Sequence, residues 1–156
     1  MLITGIRTTP LLVRNKVPYH WAHGVTYGAE VILVEVQTDD GISGYGECIG
    51  TPSTAGVTAF IDLAAQHLVG QSVFNSRQSM AQCYHALFQA HGTCSAPRFG
   101  GQVLAGLEMA MWDAAGKTAS CAVHELLGGK VREPVSYTHL RAHETSLHLV
   151  CRLLLE

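Results

Sequence analysis

No stretch of the 156-residue chain approaches the roughly 20 consecutive apolar residues that span a bilayer. The first twenty residues carry Arg7, Arg14 and Lys16 and are interrupted by Pro10 and Pro18, so they lack the apolar run of a secretory signal. These two absences predict a cytoplasmic protein with no membrane partner. A basic excess is missing as well: the formal net charge is −2. Non-specific nucleic-acid binding needs lysines and arginines to neutralise a run of phosphates, so nucleic acid is not an expected partner. Paired cysteines are lacking too. Cys48, Cys83, Cys94, Cys121 and Cys151 are scattered and odd in number, with no close pair of zinc-binding spacing, and they read as free thiols, mostly buried. No internal repeat is visible.

What is present suffices for one packed domain, since 47% of the residues are hydrophobic. Residues 2–14 read as a strand, and Pro10 argues for an edge or bulged position in it. Residues 30–38 form the densest β-branched run, with Ile32, Val34 and Val36 on one face and Val31, Leu33, Glu35 and Gln37 on the other. The turn residues Thr38-Asp39-Asp40-Gly41 then lead into a short strand over 42–47, which completes a three-stranded antiparallel meander.

After Gly50 the spacing of apolar residues becomes helical. Val57, Phe60, Ile61, Ala64 and Leu68 share one stripe, with Ser53 or Thr54 as N-cap and Gly70 as the stop. A second helix starts at Asn75 or Ser76 and turns Met80, Cys83, Tyr84, Leu87 and Phe88 inward, with Gly92 beyond its end. A third covers 101–117. It carries a ridge of small residues at four-residue intervals, Gly106, Ala110 and Ala114, and an Asp113–Lys117 pair at the favourable i, i+4 spacing. Strands first and helices after is an α+β arrangement, a small meander followed by a helical bundle.

Two stretches in this pattern resemble a known family. Asp40-Gly41-Ile42-Ser43-Gly44-Tyr45-Gly46-Glu47 is similar to the Gly-x-x-Gly-x-Gly-Glu strand in the N-terminal capping domain of the enolase superfamily, mandelate racemase and muconate lactonizing type. Gly106-Leu107-Glu108-Met109-Ala110-Met111-Trp112-Asp113-Ala114-Ala115-Gly116-Lys117, followed by Leu126-Leu127-Gly128-Gly129, resembles that family's helical signature. The resemblance covers residues 1–134. Met111 and Val103 depart from the usual leucine or alanine, and both substitutions bear on packing. The motif residues themselves read as structural: the glycines relieve crowding, Trp112 packs, and Lys117 answers Asp113.

The resemblance implies a full-length enzyme that removes the proton α to a carboxylate and holds the enediolate on Mg²⁺ bound by carboxylates of a C-terminal barrel. Racemisation, cycloisomerisation and acid-sugar dehydration share that step, so the implied substrate is a carboxylate or acid sugar. Such a barrel needs on the order of 200 residues, and only 27 follow Gly129. On this reading the chain is a capping domain without its barrel. It holds no catalytic residue and no metal ligand, binds no Mg²⁺ itself and is inactive alone.

Its implied contribution is two mobile substrate-capping loops, 17–27 and 48–55. In the first, Tyr19, His20, Trp21 and His23 combine aromatic faces with titratable tips. In the second, Ile49, Thr51 and Pro52 are the candidates, with Thr51 as a hydroxyl contact and Pro52 as a stiffener before the helix. A plain packing role for Tyr19 and Trp21 is an equal alternative. A complete, non-enzymatic α+β binding or assembly module is the competing reading of the whole chain, and oligomeric state, a homo-oligomer included, stays open.

All sixteen glycines fall by Gly129, whereas 135–156 would carry about two or three at the same density. That 22-residue tail resembles translated sequencing-adapter read-through and is read as non-native, disordered or loosely helical. His143-Glu144 and His148 resemble a zinc-protease pattern. Their five-residue spacing would turn the two histidines about 140° apart on a helix, so they could not share one ion.

Overall fold

The computed structural model describes residues 1–21, 24–88 and 97–132. β-branched residues at alternate positions build its sheet: β1 (Ile3–Trp21), β2 (Gly24–Thr38) and β3 (Ser43–Ile49), antiparallel and in that order. Ile32, Val34 and Val36 of the central strand are fully buried on the face that meets the helices. β1 is an edge strand, which accommodates Pro10 and Pro18 because a proline nitrogen has no proton to give a ladder. Gly41 turns β2 into β3 at φ +82°.

The helices follow as α1 (Thr54–Leu68), α2 (Ser76–Phe88), α3 (Pro97–Ala119) and the single-turn α4 (Val123–Leu126), with a 3-10 turn at Val73–Asn75 before α2. Ser53 caps α1, its hydroxyl accepting the Gly56 N–H at 3.3 Å. α3 begins at Pro97 rather than at 101. The Gly100-Gly101 pair weakens helix propensity there. Gly100 is nonetheless packed against Phe88, whose ring would lie 2.9 Å from any added Cβ. Phe60, Phe88 and Phe99 close this end of the core, with Phe60 5.5 Å from the Phe88 centroid and 5.2 Å from that of Phe99. α4 has no counterpart in the sequence-based expectation, because four residues are too few to show a period. Glu125 steadies its start by accepting the Ala122 N–H at 3.0 Å.

The tightest packing is the seam between α3 and β3. A Cβ on Gly44 would lie 2.1 Å from the Ala110 carbonyl oxygen, one on Gly46 2.0 Å from that of Gly106, and one on Gly106 2.2 Å from Cys48 Sγ. Backbone therefore rests on backbone, and the ridge of small residues seen in the sequence is the helix's contact line with the glycine strand. Asp113 and Lys117 close the seam's edge. Asp113 Oδ2 accepts the Tyr45 N–H at 2.8 Å, while Lys117 Nζ reaches Asp113 at 2.7 Å and the Ser43 carbonyl at 2.8 Å. The same ammonium lies 4.7 Å from the Tyr45 ring centroid. Behind the seam Leu107, Met111, Ile61, Leu68 and Val73 are fully buried.

Cys48 and Cys83 are free and buried, and Cys121 is free and half-buried. Burial pushes the Cys48 thiol up to about 11. Its sulfur lies 3.2 Å from the Val103 carbonyl oxygen. Cys94, Cys151, Gly92 and the tail 135–156, with His139, His143 and His148, lie outside the described residues.

Candidate functional site

The described residues of the segment 17–27, expected as a loop, are instead the far end of a β1–β2 ribbon, with Tyr19 paired to Thr26, His20 to Val25 and Trp21 to Gly24. Turn-forming and polar residues concealed the strand, whose pairing uses backbone groups that every residue but proline supplies in full. The ribbon is interrupted once. Arg14 faces Gly28 and Tyr19 faces Thr26, so Asn15, Lys16, Val17 and Pro18 bulge opposite the single residue Tyr27. Two side chains pin the bulge: Asn15 Nδ2 donates to the Thr26 carbonyl at 3.2 Å, and Thr26 Oγ1 to the Gly28 carbonyl at 2.8 Å. Gly28 is required there, because a Cβ would sit 2.6 Å from the Val13 carbonyl oxygen. Between them Asn15, Lys16, Pro18, Tyr19 and Thr26 border an open groove of ≈ 410 Å³.

The second segment leaves β3 at Ile49, which pairs with Val31 and is half-exposed. The chain then turns toward α1 under the control of Glu30. The Gly50 N–H donates to the Glu30 carbonyl at 2.8 Å, and Thr54 Oγ1 donates to the Glu30 carboxylate at 2.7 Å. Between these anchors Thr51 and Pro52 are exposed, joined by a cis peptide bond. The sequence reading missed Glu30, Asn15 and Thr26 as the groups that set this geometry. A signal existed only for Thr54, singled out as a helix cap.

Register places the two segments relative to each other. β3 ends opposite Val31, while β2 starts seven residues earlier at Gly24, so the ribbon overhangs the rest of the sheet by roughly 20 Å at 3.3–3.4 Å per residue. Ile49, Thr51 and Pro52 sit at the foot of that overhang, and Tyr19 and His20 lie toward its tip. Both segments therefore occupy one end of the sheet. His23 and the Trp21 side chain lie outside the described residues. The overhang exposes large hydrophobic side chains among its polar ones: Leu12 is 61% exposed, Val17 72% and Tyr27 70%.

No three His, Cys, Asp or Glu come together as metal ligands among the described residues. Nor is any described helix long and apolar enough to cross a membrane. A carboxylate with a lowered pKa lies at the opposite end of the sheet. Glu35 is held below the usual carboxylate range by its hydrogen bonds from Arg7, whose Nε lies 2.9 Å away, and then from Ser43 at 3.0 Å. Arg7 completes an ion pair with it. This is a fully paired structural group.

Residues 3–128 match the family model of the mandelate racemase/muconate lactonizing enzyme N-terminal domain. Among curated relatives, the D-galactarolactone cycloisomerase of Agrobacterium fabrum is 34% identical over 86% of this chain and 34% of its own length. The D-galactonate dehydratase of Xanthomonas euvesicatoria pv. vesicatoria is 32% identical over 65% of this chain and 25% of its own length. Among solved structures, an enolase from Thermobispora bispora complexed with magnesium and formate matches with a TM-score of 0.73 and 32% identity, over 89% of this chain and 34% of that one. The chain thus spans about a third of the length of the relatives it resembles.

Proposed function

Because the chain belongs to the mandelate racemase/muconate lactonizing enzyme family through its N-terminal domain, we propose that residues 1–134 are the capping domain of a cytoplasmic, magnesium-dependent enzyme that removes the α-proton of a carboxylate. An acid sugar or its lactone is the proposed substrate class, as the names of the cycloisomerase and dehydratase relatives suggest. The groups that move the proton belong to a C-terminal barrel, and 135–156 is not part of the working enzyme. One observation supports this reading above the others: two segments far apart in sequence, the described residues of 17–27 and those of 48–55, come to one end of the sheet, where Leu12, Val17 and Tyr27 of the ribbon are exposed.

An α-proton beside a carboxylate is too weakly acidic to remove unless the developing charge meets a fixed cation in a closed site. Magnesium supplies that charge when bound. The capping domain supplies the closure, since a covered site excludes water and strengthens every charge interaction inside it. In this role Tyr19 and His20 meet the substrate from the ribbon, Ile49, Thr51 and Pro52 meet it from the foot, and Trp21 and His23 are the further candidates of the first segment. The Glu30 tethers hold the foot in place, and the bulge lets the tip take its own angle.

The test is turnover. The purified chain with Mg²⁺ is assayed on galactarolactone, galactonate and glucarate, alone and fused to the remaining two thirds of the A. fabrum cycloisomerase. The chain alone is expected to be inert and the fusion active, with kcat/KM falling about tenfold in Thr51→Val or Tyr19→Ala. Mg²⁺-dependent turnover by the unfused chain would overturn the assignment.

A further inference from the structure

The proposed reaction uses the carboxylate beside the proton that leaves. The far end of an acid sugar is either a hydroxymethyl group or a second carboxylate, and the charges on the ribbon bear on which. From Pro10 to Ala29 the chain carries Arg14 and Lys16 and no aspartate or glutamate, although the whole chain is net −2. Lys16 belongs to the four-residue bulge and lines the ≈ 410 Å³ groove with Asn15, Pro18, Tyr19 and Thr26. It is exposed, and among the described residues it enters no salt bridge. The first carboxylate reached along β2 from the bulge, Glu30, is already bonded to Thr54.

The polar neighbours of Lys16 complete a pattern. The hydroxyl proton of Thr26 is committed to the Gly28 carbonyl, and one amide proton of Asn15 to the Thr26 carbonyl. Thr26 Oγ1 and Asn15 Oδ1 remain as acceptors. One cation beside two acceptors matches an anionic group on a hydroxylated carbon chain, the ammonium taking the anion and the acceptors taking hydroxyl protons. We propose that this groove is the subsite for the far end of the substrate, and that Lys16 pairs there with a second carboxylate, so that a sugar diacid is preferred to the corresponding monoacid. The proposal rests on the capping role.

Position and charge agree with that assignment. Tyr27, opposite the bulge, is four residues from Val31 at the foot, about 13 Å along β2. The groove therefore lies between foot and tip, on the stretch that the two capping segments bracket. A single ammonium balances a carboxylate, whereas a phosphate would keep part of its charge unmatched. In the open groove of this chain a water-exposed lysine–carboxylate pair is worth roughly two- to fivefold in affinity. Beneath a barrel that excludes water the same pair strengthens.

Galactarate and galactonate test it, because they differ only in whether the last carbon is a carboxylate or a hydroxymethyl group. Amide proton–nitrogen spectra of the 156-residue chain are recorded while each is added to about 50 mM, the range of weak single-pair binding. Galactarate should shift the amides of residues 15–17, 19 and 26–28 with roughly two- to fivefold higher affinity than galactonate. Lys16→Met should remove the difference and Lys16→Arg keep it, while Arg77→Met, which deletes the same charge on α2, should leave it unchanged. Far-UV circular dichroism checks folding, and Lys16→Gln replaces Lys16→Met if the latter does not fold. Equal affinities, a preference that survives loss of the Lys16 charge, or the same shifts from sodium sulfate at equal ionic strength would overturn the proposal. In the barrel fusion, Lys16→Met should raise the KM of the diacid glucarate, or its inhibition constant where it is not turned over, at least tenfold, with kcat within about twofold and galactonate unaffected. An active fusion indifferent to Lys16→Met overturns this subsite and leaves the capping role standing. An inert fusion counts against the capping role instead, and the titration of the chain then decides the groove.

Discussion

The α3–β3 seam and the β1–β2 overhang both involve large apolar residues and treat them oppositely. In the seam, Gly44, Gly46 and Gly106 let backbones meet with no side chain between them, and the apolar residues behind are fully buried. In the overhang, Leu12, Val17 and Tyr27 project with nothing described against them. A two-stranded ribbon is marginal by itself in water, so it persists because the rest of β1 and β2 anchors it. Apolar content alone therefore does not mark the core. Whether a third layer exists to receive the side chains decides it.

Overfilling the seam should produce the largest effect. Gly46→Val places atoms where the Gly106 carbonyl already stands, which must separate helix from sheet. A loss of more than about 3 kcal/mol in urea unfolding is expected, or failure to fold at all. Leu107→Ala, which leaves a cavity in the fully buried layer, should cost about 2–5 kcal/mol by the same measurement. Asp113→Ala removes the acceptor of the Tyr45 N–H and the partner of Lys117 and should cost about 1 kcal/mol.

At the other pole, Tyr27→Ser on the ribbon should change stability by no more than about 0.5 kcal/mol. Hydrogen exchange sharpens the contrast without mutation: amides of residues 25–27 should exchange roughly a hundredfold or more faster than those of 32–36. If the two sets were equally protected, the distinction between seam and overhang would be lost.

Acid offers a further probe, because Glu35 ties the sheet at the end remote from the overhang. Its carboxylate titrates below the ordinary value of 4.5 in the folded chain, chiefly through Arg7. The stability it adds is fully present above that ordinary value and disappears as pH falls through the lower, folded value. Arg7→Met should flatten the acid limb of a stability–pH profile while leaving its shape above pH 6 unchanged. Thiol chemistry ranks the regions again. Cys48, buried in the seam with its thiol raised to about 11, should react with a disulfide reagent at pH 8 only after unfolding, whereas half-buried Cys121 should react in the native state.

Much of the seam was legible in the sequence. Gly106, Ala110 and Ala114 recur at the helical period, Gly44 and Gly46 at the strand period, and the two patterns describe two sides of one contact. Ile32, Val34 and Val36 were equally plain, since a buried face repeats every second residue. The overhang was not legible. Lys16, Pro18 and His20 look like loop residues, and the backbone pairing that makes them strand leaves no trace in side-chain type. Glu30 was invisible for a related reason: its role depends on meeting Gly50 and Thr54 from another strand. The start of α3 was missed because Gly100 packs against Phe88, a tertiary contact that outweighs the local cost of glycine.

The four-against-one bulge at residues 15–18 has a consequence for how such a domain can diversify. Because it interrupts the ladder between the tip and the anchored sheet, exchanges at Tyr19 or His20 are not transmitted to the strand register that the helices depend on. A lineage could try many side chains there at little risk to folding, so novelty can accumulate at the tip while selection keeps the glycine seam unchanged.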